Sequence, residues 1–207
     1  MNKLYKLIFV VLVILTGCKN VDNSNKNISQ IINVFDMNIY STDGKKLLSI
    51  KSPLSKYEKT SNSFYLEKTT IHIFNNNDTE YIINSSNSKF SNNKLLELNG
   101  NVLVKNTSED TDELFANSFI WNISNSEYLL IGNVKFKNKT ITLSSNKAIL
   151  NKDNNIIEFY NPVKYIIKDS IEERSYEIES ENAFYNIITR AVSFKSKEKK
   201  VRSKIFF

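Results

Sequence analysis

From Ile31 onward apolar and polar side chains alternate with a period of two, and a sustained 3.6-residue pattern is almost absent. Phe35, Met37 and Ile39 alternate with polar neighbours, Ser41-Thr42-Asp43-Gly44 makes a turn, and Leu48 and Ile50 resume the pattern. Asp-Gly between two alternating runs is a strong hairpin signal. Tyr65 with Leu66, then Ile71 with Ile73, follow; after Asn75-Asn76-Asn77-Asp78 come Tyr81 and Ile83. The pattern predicts strands throughout, joined by polar turns.

The second half repeats itself. Val102, Val134, Val163 and Val192 are spaced by 32, 29 and 29 residues. Positions six and four before each valine, and two after it, read Leu96, Leu98, Val104; Tyr128, Leu130, Phe136; Ile157, Phe159, Tyr165; and Asn186, Ile188, Phe194. In an unbroken strand all share one face. Upstream of each valine lies what reads as a shorter strand: Ser88-Lys89-Phe90, Phe119-Ile120-Trp121, Ala148-Ile149-Leu150 and Ala183-Phe184-Tyr185. Gly100-Asn101 and Gly132-Asn133 precede two of the valines, and a glycine inside a strand marks a bulge or bend. Asn161-Pro162 and Arg190-Ala191 take those places in the other units. A repeat of about 30 residues, strand–turn–long strand, implies hairpins that stack on one another because none buries its apolar face alone. The architectures open to such a chain are a closed barrel and an open-ended, rolled or V-shaped sheet.

Ahead of this body, Lys3 and Lys6 precede an apolar run from Leu7 to Leu15, which fits a secretory signal and is short for a membrane span. It closes on Leu15-Thr16-Gly17-Cys18, which resembles the lipobox of bacterial lipoproteins; an uncleaved anchor or a buried core cysteine are the alternatives. On the lipobox reading residues 1–17 are a signal peptide and Cys18 is acylated. Residues 18–30 then form a flexible tether, 31–194 the folded domain and 195–207 a basic, solvated tail.

Composition narrows the chemistry. One cysteine and one histidine build neither a zinc site nor a thiol–histidine pair nor an internal disulfide. His72 lies between Ile71 and Ile73 and points away from their face. No nucleophile elbow or phosphate-cradling glycine loop is present, and the acidic pairs Glu109-Asp110, Asp112-Glu113 and Glu172-Glu173 read as solvated loops. The reading is a protein without catalytic residues, metal or cofactor. The net charge of +6 rests on scattered lysines in an asparagine-, isoleucine- and lysine-rich chain and does not indicate nucleic acid. Trp121, Tyr128, Tyr160 and Tyr165 leave a second possibility, a polysaccharide- or cell-wall-binding β-sheet lipoprotein.

The stretch Val34-Phe35-Asp36-Met37-Asn38-Ile39-Tyr40-Ser41-Thr42-Asp43-Gly44-Lys45-Lys46-Leu47 is similar to the first hairpin of the LptC family of lipopolysaccharide-export proteins. So are the march through Leu48-Ser49-Ile50-Lys51-Ser52-Pro53 and the segment from Tyr81 to Val104, with its Leu-x-Leu-x-Gly-x-Val. The resemblance covers roughly Ile31 to Phe194 and extends to the sister proteins LptA and LptD. It implies an all-β fold, a rolled, open-ended antiparallel β-jellyroll of stacked hairpins, whose interior holds lipopolysaccharide acyl chains. The implied location is the inner membrane, facing the periplasm. The implied partners are the LptF–LptG transporter and a periplasmic LptA-like protein, reached by edge-strand addition. Family members usually keep a transmembrane helix where this chain carries a lipobox. On this reading the apolar stripe, Leu96, Leu98, Val102, Val104, Leu130, Val134, Phe136, Ile157, Phe159 and Val163, lines the groove. The partner edges are Phe35, Met37 and Ile39 at one end and Val192 and Phe194 at the other.

Overall fold

The computed structural model describes residues 29–107, 112–125, 127–168, 175–198 and 200–206. Residues 1–28, with the signal-like run and Cys18, lie outside the described residues, as do the Glu109-Asp110 and Glu172-Glu173 pairs. Among the described residues no helix is long and apolar enough to cross a membrane.

The described chain is strand and turn. The strands are β1 (Ser29–Tyr40), β2 (Lys46–Glu58), β3 (Ser63–Asn75), β4 (Asp78–Ser91), β5 (Leu95–Asn106), β6 (Glu113–Asn122), β7 (Glu127–Lys137), β8 (Ile141–Asn151), β9 (Ile156–Lys168), β10 (Ser175–Asn186), β11 (Val192–Lys195) and β12 (Arg202–Phe206). They form one antiparallel sheet in chain order from β1 to β11, with β12 beside β11 on the outer edge of β10. The backbone of each strand runs close only to its ladder neighbours, so β1 and the β11/β12 edge do not pair with each other. The sheet is an open-ended roll.

Asparagine makes many of the turns. Asn76 and Asn77 have φ of 50° and 72°, and Asn92 and Asn93 51° and 56°. Two successive positive φ values are what a two-residue hairpin needs, and asparagine tolerates them better than any other residue but glycine. Eight of the eleven described non-glycine residues at positive φ are asparagines, which is how so many hairpins form with four glycines. Asp43-Gly44 turns as expected: Gly44 (φ +80°) donates to the Ser41 carbonyl at 3.0 Å.

A crease crosses the sheet. In β5, β7 and β9 two residues, Gly100-Asn101, Gly132-Asn133 and Asn161-Pro162, stand opposite one, Asn117, Asn146 or Glu181, in the next strand. The Gly-Asn pairs have φ of 76°/51° and 77°/49°. The line continues through Ser86, Lys68, Pro53 and Val34 to β1. Both prolines of the chain therefore sit where the ladder is already interrupted and no N–H is missed. Serines take up freed carbonyls. Ser145 Oγ donates to Lys147 O at 2.9 Å and Ser180 Oγ to Asn182 O at 2.9 Å, while Ser52 Oγ lies 2.7 Å from Leu54 O and 2.6 Å from Glu67 O. Along this crease the sheet folds over its own apolar face.

Three expectations change. The strands read as short are long: β4, β6, β8 and β10 have 14, 10, 11 and 12 residues. The fourth repeat unit is not a continuous strand, because the chain turns at Ile187–Thr189 and leaves Ile188 72% exposed. Finally, the region read as a solvated tail contributes β12, and Ser29-Gln30 of the expected tether already belong to β1.

Candidate lipid trough

Folding at the crease brings three cross-strand ladders into one interior. On one side run Leu96, Trp121, Tyr128, Leu150, Ile157 and Tyr185, and beside them Leu98, Phe119, Leu130, Ala148, Phe159 and Ala183. Beyond the crease run Val104, Leu114, Phe136, Leu143, Tyr165 and Ile178. Alanines opposite phenylalanines let the two sides interdigitate. All ten residues of the sequence-derived stripe lie on this face, none more than 6% exposed. The stripe alone is incomplete. Half the lining comes from β6, β8 and β10, and β2–β4 add Leu48, Ile50, Leu66, Ile71, Ile83 and Phe90.

The two sides meet across the interior. Phe136 of β7 packs on Tyr185 of β10 with ring centroids 4.5 Å apart, and Tyr165 packs on Phe194 at 5.3 Å. Ion pairs close the lips: Lys152 Nζ–Glu80 Oε2 at 3.0 Å and Arg190–Asp112 at 3.9 Å. Burial, and then the Glu80 carboxylate, push the Tyr81 phenol up to about 12 and raise Tyr128 as well. The void left between Tyr81, Phe136 and Tyr185 is about 30 Å³, room for about one water. The trough is thus filled by its own side chains and sealed along one seam. At the ends it is looser: Met37, Ile39 and Phe64, and likewise Ile167, Ile178, Val192 and Phe194, are only partly covered.

The edge residues divide by role. Phe35 is buried, and Met37, Ile39, Val192 and Phe194 pack partly against the core, so what these strands present outward is backbone. At the far edge that backbone is shared between β11, which pairs Asn182–Tyr185, and β12, which pairs Ser175–Glu179. A larger cavity, about 770 Å³, lies beside the crease among Lys135, Ser144, Lys164, Glu179 and Arg202, which form one cross-strand row of opposite parity to Val134 and Val163. Val134 and Val163 of the stripe also line it, with Ser145 and Ser180 opposite them, so charged and apolar walls meet there at the crease.

The sugar platform loses most of its aromatics, and His72 sits as its strand neighbours predict. Of the four aromatics considered for a sugar platform, Trp121, Tyr128 and Tyr165 are buried in the core; Tyr160 alone faces outward, bonded to Glu158 at 2.6 Å with Lys147 over its ring. His72 lies on the outer face opposite Ser49 and Ile82. Among the described residues no three His, Cys, Asp or Glu side chains converge as a metal site.

Residues 7–128 match the family described as lipopolysaccharide-assembly, LptC-related, and residues 109–204 match the OstA-like protein family. Among solved structures, the chain is similar to LptH from Pseudomonas aeruginosa, described as the LptA-homologous periplasmic component of the lipopolysaccharide transport device. The identity is 11%, over 61% of this chain and 94% of that one, with a TM-score of 0.47. No curated protein matches. The first match spans more than half of the sequence, over the hairpins that build the near half of the trough, and by it the chain belongs to the LptC-related lipopolysaccharide-assembly family.

Proposed function

We propose that the protein is a periplasm-facing, membrane-anchored component of lipopolysaccharide transport that shields acyl chains in the folded trough and passes them on. The observation that carries this reading is the run of apolar ladders through the roll, only partly covered at both ends. An acyl chain needs apolar wall more than any motif, since each buried methylene contributes about 0.8 kcal/mol. Because the trough is filled at rest, loading parts the seam at Glu80–Lys152 and Asp112–Arg190 and exchanges side-chain packing for lipid packing. Cys18 carries the anchor, at the inner membrane beside an LptF–LptG transporter. The β1 edge and the β11/β12 edge dock neighbouring proteins, an LptA-like one among them, by strand addition.

The test is a photo-crosslinking amino acid placed in cells at Val134 or Phe159 and, as comparison, at Lys135 on the outer face. Lipid adducts at the first two and not the third support the trough. Adducts at Lys135 alone, or none anywhere, overturn it. The sugar-binding reading is left with Tyr160 alone, since its other three aromatics are buried in the core.

A further inference from the structure

Inside the trough the side chains change character along the roll. From β5 to β9 the ladders are almost wholly apolar, but β3 and β4 bring hydroxyls onto the same face. Ser88 stands directly opposite Leu98 on one side and Leu66 on the other, and Thr69 stands opposite Ser85. Thr69 is 1% exposed, Ser88 5% and Ser85 7%.

Their hydrogen bonding separates them from the serines of the crease. Ser52, Ser145 and Ser180 each bond a carbonyl of their own strand two residues on, which is a structural duty. Thr69 and Ser88 instead share a hydrogen bond with each other. The Ser85 hydroxyl is buried and finds no partner among the described residues. A hydroxyl removed from water with nothing in return is a standing cost to the fold, and alanine would serve the packing at least as well. The group is placed to bond something that enters.

We propose that Ser85, with Thr69 and Ser88, forms a polar subsite within the trough for a neutral hydrogen-bonding substituent, such as a hydroxyl, ester or amide, carried part-way along an acyl chain. The inference rests on the lipid-carrying reading above and deepens it. The unsubstituted remainder of the chain runs over Leu98 and Val102 toward β9, and the substituent stops at β3–β4, so the ligand is held in one orientation. Ser85 Oγ accepts from or donates to the substituent directly. Thr69 and Ser88 share one hydrogen bond when the trough is empty, and the accepting hydroxyl's proton and lone pairs on both oxygens can serve the substituent when it is filled. Burial in apolar surroundings makes such a bond discriminating, because an unsubstituted chain leaves the hydroxyl unpaired.

The test uses the full chain and displacement of a fluorescent fatty acid. The competitors are a saturated fatty acid and a series of hydroxy analogues of equal length that differ in hydroxyl position. One analogue is expected to bind roughly fivefold to tenfold tighter than the plain acid. Ser85→Ala, alone and with Thr69→Val and Ser88→Ala, removes that preference while the plain acid still binds. Ser85→Ala is also expected to leave the urea midpoint unchanged or raise it, whereas a hydroxyl with a structural role would lower it. Equal binding of all the acids overturns the subsite and leaves the trough standing, as does a preference that survives the triple substitution. Failure of every acid to bind overturns the trough and the subsite together.

Discussion

Substituting Gly132 by alanine tests the crease at its tightest point. Gly132 has φ +77°, and a methyl group there would meet Asn117 of the neighbouring strand at 2.8 Å from Nδ2 and 3.1 Å from Cβ. Two costs follow. Left-handed backbone costs an L-residue about 1–2 kcal/mol, offset by up to about 1 kcal/mol because alanine restricts the unfolded chain. The contact adds to it, since the amide of Asn117 can swing away but its Cβ is fixed by the backbone. Gly44 separates the two terms: its φ is +80°, yet a methyl there has nothing within 4 Å. Gly100 is intermediate, with Ser86 Cβ at 3.1 Å. The expected order of destabilisation is therefore Gly132→Ala, Gly100→Ala, Gly44→Ala, from about 2–3 kcal/mol down to under about 1 kcal/mol.

The assay is equilibrium urea unfolding followed by circular dichroism. With a slope of about 2 kcal/mol per molar, Gly132→Ala lowers the midpoint by about 1 M. Asn117→Gly removes the obstructing Cβ, so the double substitution recovers the steric part and shows a coupling of the opposite sign to the single losses. If Gly132→Ala costs no more than Gly44→Ala, or Asn117→Gly returns nothing, the close approach at the crease is not what holds the fold together there and the reasoning fails.

The seam makes a second prediction: Lys152→Glu sets a carboxylate against Glu80, and amide hydrogen exchange is expected to quicken at Tyr81 and Tyr185. Global stability should fall by less than about 1 kcal/mol, and unchanged exchange would show that the ion pair does not close the lips. Alkaline pH probes the same place. The Tyr81 phenol, raised to about 12, is favoured in its protonated form by the fold, so that contribution is complete below pH about 10 and lost as pH rises toward 12. Tyrosinate absorbance and circular dichroism should then change together, whereas complete tyrosine titration near pH 10 in a folded protein contradicts the burial. Lastly, Cys18→Ser in cells is expected to move the protein from the membrane to the soluble fraction, and a protein still retained by the membrane would refute the acyl anchor.

The crease also explains which parts of this fold are legible in the sequence. In β5, β7 and β9 the extra bulge residue makes the interior positions on either side four apart, Leu98 and Val102, Leu130 and Val134, Phe159 and Val163, so parity is kept and the stripe reads as one long strand. In β4, β6, β8 and β10 the corresponding positions are three apart, Ser85 and Ser88, Ala116 and Phe119, Ser145 and Ala148, Ser180 and Ala183, so the period breaks in mid-strand. A one-residue slip turns every later side chain to the other face, and only the half beyond the slip reads as a strand. The two ends fail for other reasons. Asn186 Oδ1 accepts from the amides of Ile188 and Thr189 and, with Arg190 at φ 59°, reverses the chain, which valine spacing cannot register. β12 has no apolar period; it is a strand because the edge of β10 offers unpaired backbone and sets Glu177 and Glu179 against Lys204. Parity kept in alternate strands and broken in those between is what lets one sheet fold over its own apolar face with all its ladders inward. The slip that hides half of the trough from a periodicity argument is thus the device that makes a trough out of a flat sheet.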